Sequence, residues 1–462
     1  MGAKECIVFN NSKEGRTQNR LVEVIVIGHL KSNSAGYCTD IVQRRRTMKT
    51  RLFVLVFLLL GSYSHQIIAA GGVVKGSNVI APDRYVYYPG TEKLSKNEIR
   101  VIACGTGLPA ARRSQAATCF LIEAGNGDKF LFDIGTGSMA NIASLMIPYQ
   151  YLDKVFLSHL HTDHMGDILG LWAGGWTSGR PNALQVWGPS GATPEMGTKY
   201  AMEHFLKFVN WDKVTREYKI TPIPGQIETT EFDYKVPDQI VYQENGVTIR
   251  SYPAIHAGDG PVSYMFEYAG MKVLFSGDTV PNKWFVKYGK GVDLAIHESF
   301  QPPQQLVDYY NQPPQLAWRA CCEFHTSPEA FGKIMSTIQP RHAVAFHFFN
   351  EEATRFGVYQ GIRSTYDGPL SLATDMMVWN VTKDNITERM AVSVDEAWSV
   401  PGTAQQPPPE KGRPNPTTDY IDKGRWVPGF KAQDPMLDKH MKKYKLENQD
   451  WRPKMYKKIE GK

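Results

Sequence analysis

Cysteine is scarce in this chain. Only six of its 462 residues are cysteine. No two stand in a Cys-x-x-Cys pair, so a structural zinc knuckle has no support. Cys6 and Cys38 precede Met48, leaving Cys104, Cys119, Cys321 and Cys322. Cys321 and Cys322 are adjacent, and a vicinal pair rarely bridges to itself. Cys104 and Cys119 fall in two predicted neighbouring strands and read as small core residues. A disulfide between them stays open for an oxidising compartment. The apolar run Leu52–Leu60 is well short of the about 20 residues of a membrane-spanning helix. Neither sign of charge dominates. Lys and Arg number 52 against 46 Asp and Glu, a net +6, which does not demand an anionic polymer as partner.

What is present begins with an address. Met48-Lys49-Thr50-Arg51 is basic, Leu52–Leu60 is an apolar core, and Ala69-Ala70-Gly71 is a zone of small residues. That is the pattern of a secretory signal peptide over residues 48–70. It predicts translation from Met48 and makes residues 1–47 a non-native extension. The mature protein is then periplasmic or secreted, with no stable membrane span after cleavage. Residues 71–97 form a polar lead-in, 98–395 the folded domain, and 396–462 a Pro-rich linker and basic tail. The tail carries Tyr444, Trp451 and Tyr456 and is expected to pack on the domain rather than to bind nucleic acid.

The chemistry is concentrated in His159-Leu160-His161-Thr162-Asp163-His164. Lys154–Leu157 before it is apolar and β-favouring, a buried strand. The segment from Gly166 to Trp172 after it is helix-compatible. The run therefore sits on a loop at the C-terminal end of a strand. In that geometry His159 and His161 face one metal, and Asp163 and His164 face a second a few ångströms away. Imidazole with carboxylate suits zinc, iron or manganese rather than calcium.

This run resembles the signature of the metallo-β-lactamase superfamily. The resemblance implies an α/β fold, a four-layer αββα sandwich with one or two metals at one sheet edge. It also implies an order of further ligands, and each occurs at the end of a predicted strand. His256 follows the strand Val247–Tyr252 and takes the place of the third ligand of the first metal. Asp278 follows the hairpin of Val262–Tyr268 and Met271–Phe275 and is placed to bridge both metals. His347 ends the strand Arg341–Phe346 and completes the second site with Asp163, His164 and the shared Asp278. Asp133 is expected to orient the metal loop by hydrogen bonding. The expected cofactors are two zinc ions, with manganese or iron as alternatives.

Three further features resemble the ribonuclease Z and arylsulfatase-like branch: Gly105-Thr106-Gly107-Leu108-Pro109, His297-Glu298 and His325-Thr326-Ser327. In that branch the His-Glu and His-Ser-Thr elements help protonate the leaving group. Here the two hydroxyl residues are exchanged. The resemblance casts His325 as general acid, oriented by Glu298, with Asp163 accepting a hydrogen bond from the nucleophile. The competing roles are a helix cap for His325 and a buried ion-pair partner for Glu298. The chain also resembles metallo-hydrolases of guanitoxin biosynthesis clusters, which implies no substrate here.

The expected activity is hydrolysis of a small ester or phosphodiester by a hydroxide held between two metals. The partner is then a small-molecule substrate, with a homodimer as the expected assembly. The alternative is ribonuclease Z-like tRNA 3′ processing. It conflicts with the export signal and lacks an obvious basic Gly/Pro-rich arm for tRNA. A non-catalytic metal-binding protein is the third class, disfavoured because no ligand is missing. Residues 210–245 read as an insertion shaping access to the site. Trp172 and Trp176 fit the pocket lining and the core equally well.

Overall fold

The computed structural model describes residues 85–460. The predicted extension, the signal peptide and most of the lead-in lie outside the described residues. The strands form two sheets. The first runs, in spatial order, β1 (Val86–Tyr87), β16 (Ile386–Ala391), β15 (Met377–Val381), β2 (Ile99–Gly105), β3 (Cys119–Ala124), β4 (Lys129–Phe132), β5 (Lys154–Phe156), β6 (Leu184–Pro189) and β7 (Ile227–Phe232). The second runs β14 (Leu370–Leu372), β13 (His342–Phe346), β12 (Leu294–Glu298), β11 (Met271–Phe275), β10 (Val262–Tyr268), β9 (Val247–Pro253) and β8 (Gln239–Glu244).

Side chains alternate across a strand, so each central strand feeds two cores. From β2, Ile99, Val101 and Ala103 point between the sheets, while Ile102 and Cys104 point outward. The inner layer sets Phe120, Phe130, Phe132 and Phe156 of the first sheet against Tyr264, Phe266, Phe275 and Phe346 of the second. Phe132 stacks on Phe156 at 5.4 Å and meets Tyr264 edge-on at 5.6 Å. Truncating such a fully buried ring to alanine costs about 3–5 kcal/mol.

Helices cover both outer faces. In chain order the first group is α1 (Ser138–Ser144), α2 (Thr162–Met165), α3 (Ile168–Thr177), α4 (Thr198–Phe208) and α5 (Asn210–Glu217). Ile142, Leu171, Trp172, Trp176 and Met202 from these helices bury against Leu121 and Leu131. The second group is α6 (Lys283–Tyr288), α7 (Pro303–Tyr310), α8 (Pro314–Arg319), α9 (Pro328–Ile338) and α10 (Glu352–Arg363). Phe285, Phe331, Met335 and Ile362 pack on the outward residues Leu274, Ala295 and Ala343 of the second sheet. The result is the expected four-layer αββα sandwich. Among the described residues no helix is long and apolar enough to cross a membrane.

Several local expectations resolve. Trp172 and Trp176 are core residues, fully buried, with their indole N–H groups donated to the carbonyls of Gly225 and Thr221. The stretch 210–245 is more than an insertion. It contains α5 and the edge strands β7 and β8, one for each sheet. Cys104, Cys119, Cys321 and Cys322 are all free. The tail folds into α11 (Asp419–Lys423), α12 (Val427–Ala432), α13 (Asp434–Tyr444) and α14 (Arg452–Glu460). The linker before it is tied down: Gln406 donates to the carbonyls of Trp176 and Arg180, and Arg413 pairs with Glu217 at 2.5 Å.

Candidate metal centre

Parallel strands bring successive strand ends to one edge, and hairpins add theirs beside them. β4, β5 and β6 are parallel in the first sheet, and β11, β12 and β13 in the second. The residues following β4, β5, β9, β11 and β13 are Asp133, the His159 loop, His256, Asp278 and His347. The Ser158 carbonyl accepts the Val262 amide at 2.9 Å and joins the two sheets at this edge. Backbone strain concentrates here. Asp133 has φ 57° and His347 φ 69°, left-handed values uncommon for residues with side chains. Gly277, before Asp278, has φ 60°, and a Cβ there would lie 2.5 Å from Ser158 Cβ. Only glycine lets the Asp278 loop approach the His159 loop this closely.

Seven side chains converge as two overlapping sets. His159, His161, His256 and Asp278 form one; Asp163, His164, His347 and Asp278 form the other. A third cluster, Asp278, Glu298, His325 and His347, overlaps the second. The outer partners of the histidines fix which nitrogen faces inward. Ser158 Oγ donates to Asp133 Oδ2 at 2.7 Å, so the His159 Nδ1–H, 3.1 Å away, is donated to Ser158 Oγ. His256 donates Nδ1–H to the Phe324 carbonyl at 2.6 Å. Both therefore turn a lone pair on Nε2 toward His161 Nδ1, at 3.0 and 3.2 Å. Two Nε2 lone pairs thus face one nitrogen of His161, whose single proton could serve only one of them well, whereas a cation among the three serves all. Metal–nitrogen bonds of about 2.0–2.1 Å in a tetrahedron put neighbouring nitrogens roughly 3.3 Å apart, so the donors fit.

In the second set, buried Asp133 accepts the Ser158 amide and the His164 Nδ1–H, the latter at 2.6 Å. His164 Nε2 then lies 3.2 Å from Asp278 Oδ1, and both atoms are buried with no well-formed hydrogen bond. His347 Nε2 stands 3.2 Å from Asp163 Oδ2 and 3.3 Å from Asp278 Oδ2. Asp133 thus takes the orienting place the resemblance implied.

The electrostatics divide the same way. Burial pushes His159 well below the ordinary imidazole value, lowers His161, and lowers His256 to about 4. Neutral imidazoles are what a metal needs. Burial opposes charge on both His164 and Asp278. Even so, Asp278, Asp133 and Asp163 together hold His164 well above its ordinary value, and His164 with His347 holds Asp278 well below.

His325 and Glu298 lie against this cluster. The His325 Nδ1–H points at both Glu298 oxygens, at 3.1 and 3.0 Å. Burial alone would lower His325, but the Glu298 carboxylate holds it up at about 9. Glu298 is fully buried and also accepts the Thr279 amide at 2.6 Å. The cap of α9 is Ser327, whose hydroxyl accepts the Ala330 amide, so His325 is not spent on that role. Of the pair His297-Glu298, only Glu298 faces the site. His297 donates Nδ1–H to the Glu298 carbonyl and packs edge-on against Phe285 and Phe331, because alternation along β12 sends the two side chains to opposite faces.

A cavity of about 640 Å³ opens onto His161, Asp163, His256, Asp278, His325 and His347. A smaller one of about 310 Å³, lined partly by Ser190, Glu195 and Asp259, meets the first set from the other side. Sequence reasoning missed two supporting residues. Phe300 stacks on His325 at 4.4 Å with the rings 7° apart, fixing the plane of the imidazole. Asp375 accepts from the Thr106 hydroxyl, the Ala116 amide and the Asn141 amide group at 2.9, 2.7 and 3.0 Å, tying both ends of the β2–β3 connection and helix α1 to its own turn. Asp375 follows β14 at a strand end, as the ligands do, and that position was its one signal.

Residues 114–299 match the family model described as the metallo-beta-lactamase superfamily. The chain carries a metallo-β-lactamase superfamily domain and is a metallo-hydrolase of that superfamily. Within the superfamily its similarity is to ribonuclease Z proteins. That of Mycolicibacterium gilvum (strain PYR-GCK) is 28% identical over 240 residues, 50% of this chain and 77% of that protein. That of Mycobacterium avium (strain 104) is 28% identical over 237 residues, 50% of this chain and 79% of that protein. Among solved structures, the metallo-beta-lactamase fold protein YhfI from Bacillus subtilis is 18% identical. The overlay covers 62% of this chain and 100% of that one, with TM-score 0.46. The short form of human tRNase Z is 17% identical, covering 60% of this chain and 98% of that one, with TM-score 0.43.

Proposed function

We propose that the chain is a dinuclear metallo-hydrolase, zinc-dependent with manganese or iron as alternatives, that cleaves a small ester or phosphodiester. One observation carries the reading: His161, Asp163, His256, Asp278, His325 and His347 open on one cavity that no Lys or Arg among the described residues lines. Beyond the metals and His325 themselves, the further phosphates of a polyanion would find no counter-charge there.

His159, His161 and His256 would hold one metal, Asp163, His164 and His347 the other, with Asp278 between them. Bound there, divalent metals supply an activated water and polarise the scissile carbonyl or phosphoryl oxygen. Asp163, at the cavity wall, accepts a hydrogen bond from the attacking water and orients it. Glu298 holds the Nδ1–H of His325, which leaves Nε2 to deliver a proton to the departing oxygen. Phe300 keeps that imidazole in plane, and the apolar wall limits bulk water around it.

The test couples metal analysis of the purified full chain to a substrate panel of phosphodiester, carboxylic ester, sulfate ester, lactone and β-lactam. About two transition-metal ions per chain with turnover of an ester or phosphodiester is the expected result. A protein that holds metals and cleaves nothing in the panel refutes it. The ribonuclease Z relatives favour a second reading, tRNA 3′ processing, so precursor tRNA belongs in the same panel. Efficient 3′ cleavage of it would displace the first reading. Export to the periplasm and assembly as a homodimer complete the proposal. Cell fractionation and light scattering test them, and a cytoplasmic monomer would refute both.

A further inference from the structure

The cavity beside His325 has a one-sided chemistry. Leu108, Phe300, Leu306, Phe324 and Phe349 give it an apolar wall opposite the metal-site residues. Arg112 lies over the Phe349 ring at 4.8 Å but does not line the cavity. Its guanidinium pairs with Glu351 at 2.6 Å, and Tyr310 donates to the other Glu351 oxygen. Set into the apolar wall is Gln301, fully buried. Its Oε1 accepts the Phe349 amide at 3.0 Å, which fixes the orientation of its side-chain amide. Its Nε2 is buried with no hydrogen-bond partner among the described residues, and Gln312 Oε1 on the same cavity is likewise buried and unpartnered. Buried donors are nearly always satisfied. Gln301 lines the binding cavity, so a molecule that binds there is the available source of the missing partner. Pockets of this kind take orientation from a few polar groups in an apolar lining.

We propose that this cavity receives the departing half of the substrate, an uncharged, largely apolar group bearing a hydrogen-bond acceptor that Gln301 Nε2–H recognises and a donor that Gln312 Oε1 accepts. The assignment of the departing half rests on the hydrolase reading, because His325 on the same wall delivers the proton. What the cavity binds follows from its lining alone. Gln301 is then a specificity-determining residue. A hydrogen-bonding site rejects an analogue lacking the matching group because its own buried polar group is left unpaired.

The test uses two isosteric phenols that differ only in an oxygen for a CH₂ group, 3-hydroxyacetophenone and 3-isopropenylphenol. Each is titrated calorimetrically into the zinc-loaded full chain. The ketone should bind about five- to a hundredfold more tightly. Gln301→Glu keeps an acceptor for the Phe349 amide but removes the donor, and should erase the preference. Because the matched pair is read on the wild-type protein, the test stands even if the variant fails to fold. Equal binding of the two phenols, or a preference that survives Gln301→Glu, overturns the inference. So does a nucleoside monophosphate that binds as tightly as the ketone. Turnover of the corresponding aryl esters is read separately. If neither ester is cleaved while the ketone preference stands, the hydrolase reading falls and the cavity's recognition chemistry is upheld.

Discussion

Replacing His325 by alanine separates proton donation from every other role the residue might have. The imidazole sits 3.0–3.1 Å from both Glu298 oxygens, stacks on Phe300, and keeps its proton up to about pH 9. It lies outside the two sets that hold the seven converging ligands, although with Asp278, Glu298 and His347 it forms a third cluster close enough to hold an ion. The variant should therefore keep its metals. General acid catalysis is typically worth about 10²–10⁴-fold, but only where the leaving group needs help. An alkoxide cannot depart unprotonated, whereas a nitrophenolate can. His325→Ala should lose about 10²–10⁴ on an alkyl ester or phosphodiester and far less on its nitrophenyl counterpart. The assay is kcat/KM across leaving groups of graded acidity, where the variant should show the steeper dependence. The pH profile gives a second readout. The donor form exists below its pKa, so wild-type rates on poor leaving groups should fall as pH rises through it. Divalent cations beside His325 repel its proton, so in the loaded enzyme that limb lies below 9. The variant should lack it. Glu298→Gln should repeat the pattern in weaker form. Parallel losses on both substrate types, with metals retained, would show that His325 only positions substrate, and the acid role would have to be abandoned.

Asp278→Ala and His159→Ala should each lose most bound metal together with activity; full occupancy in the Asp278 variant by plasma mass spectrometry refutes its bridging place. Asp133→Asn tolerates the left-handed backbone at φ 57° but no longer offers a carboxylate to His164, and should weaken metal affinity by about 10–100-fold in a chelator competition. Unchanged affinity would remove Asp133 from the design of the site. Asp375 is held at about 6 by burial, against the ordinary 3.8. Its folded pKa is raised, so the stability it contributes is full below pH about 4 and is lost as pH rises through 6, a difference of about 3 kcal/mol. Asp375→Asn should flatten that fall, and urea midpoints at pH 4 and pH 7 that change in parallel for wild type and variant would contradict it.

Most of the site was legible because its ligands obey a local rule. Each stands at the end of an apolar, β-favouring run, so strand ends could be read residue by residue. The two hairpin strands Val262–Tyr268 and Met271–Phe275 were readable with their boundaries. Gln301, Phe300 and Asp375 were not. Asp375 gains its meaning from Thr106, 269 residues away, and Gln301 from a bond to the Phe349 amide. Neither separation leaves a periodic trace. The edge strand β7 was hidden differently. In Ile227-Glu-Thr-Thr-Glu-Phe232 only the last residue is buried, so its alternation is diluted by charge and looks like loop. His297 and Glu298 are adjacent in sequence, but a pleated strand separates neighbours and only Glu298 meets His325.

The two ligand sets draw on both sheets. His159, His161, Asp163 and His164 follow a strand of the first, while His256, Asp278 and His347 follow strands of the second. A bound metal is therefore a rivet between the two halves of the sandwich, and its removal leaves converging donors without a common partner at the open edge. Folding and metal supply become one equilibrium. Free metal at a hundred times its dissociation constant adds about 2.7 kcal/mol per site to stability, a sizeable part of what holds a typical domain together. The melting temperature of this protein should then gauge the free metal concentration around it. A compartment that withholds metal would shorten the protein's lifetime as well as silence it.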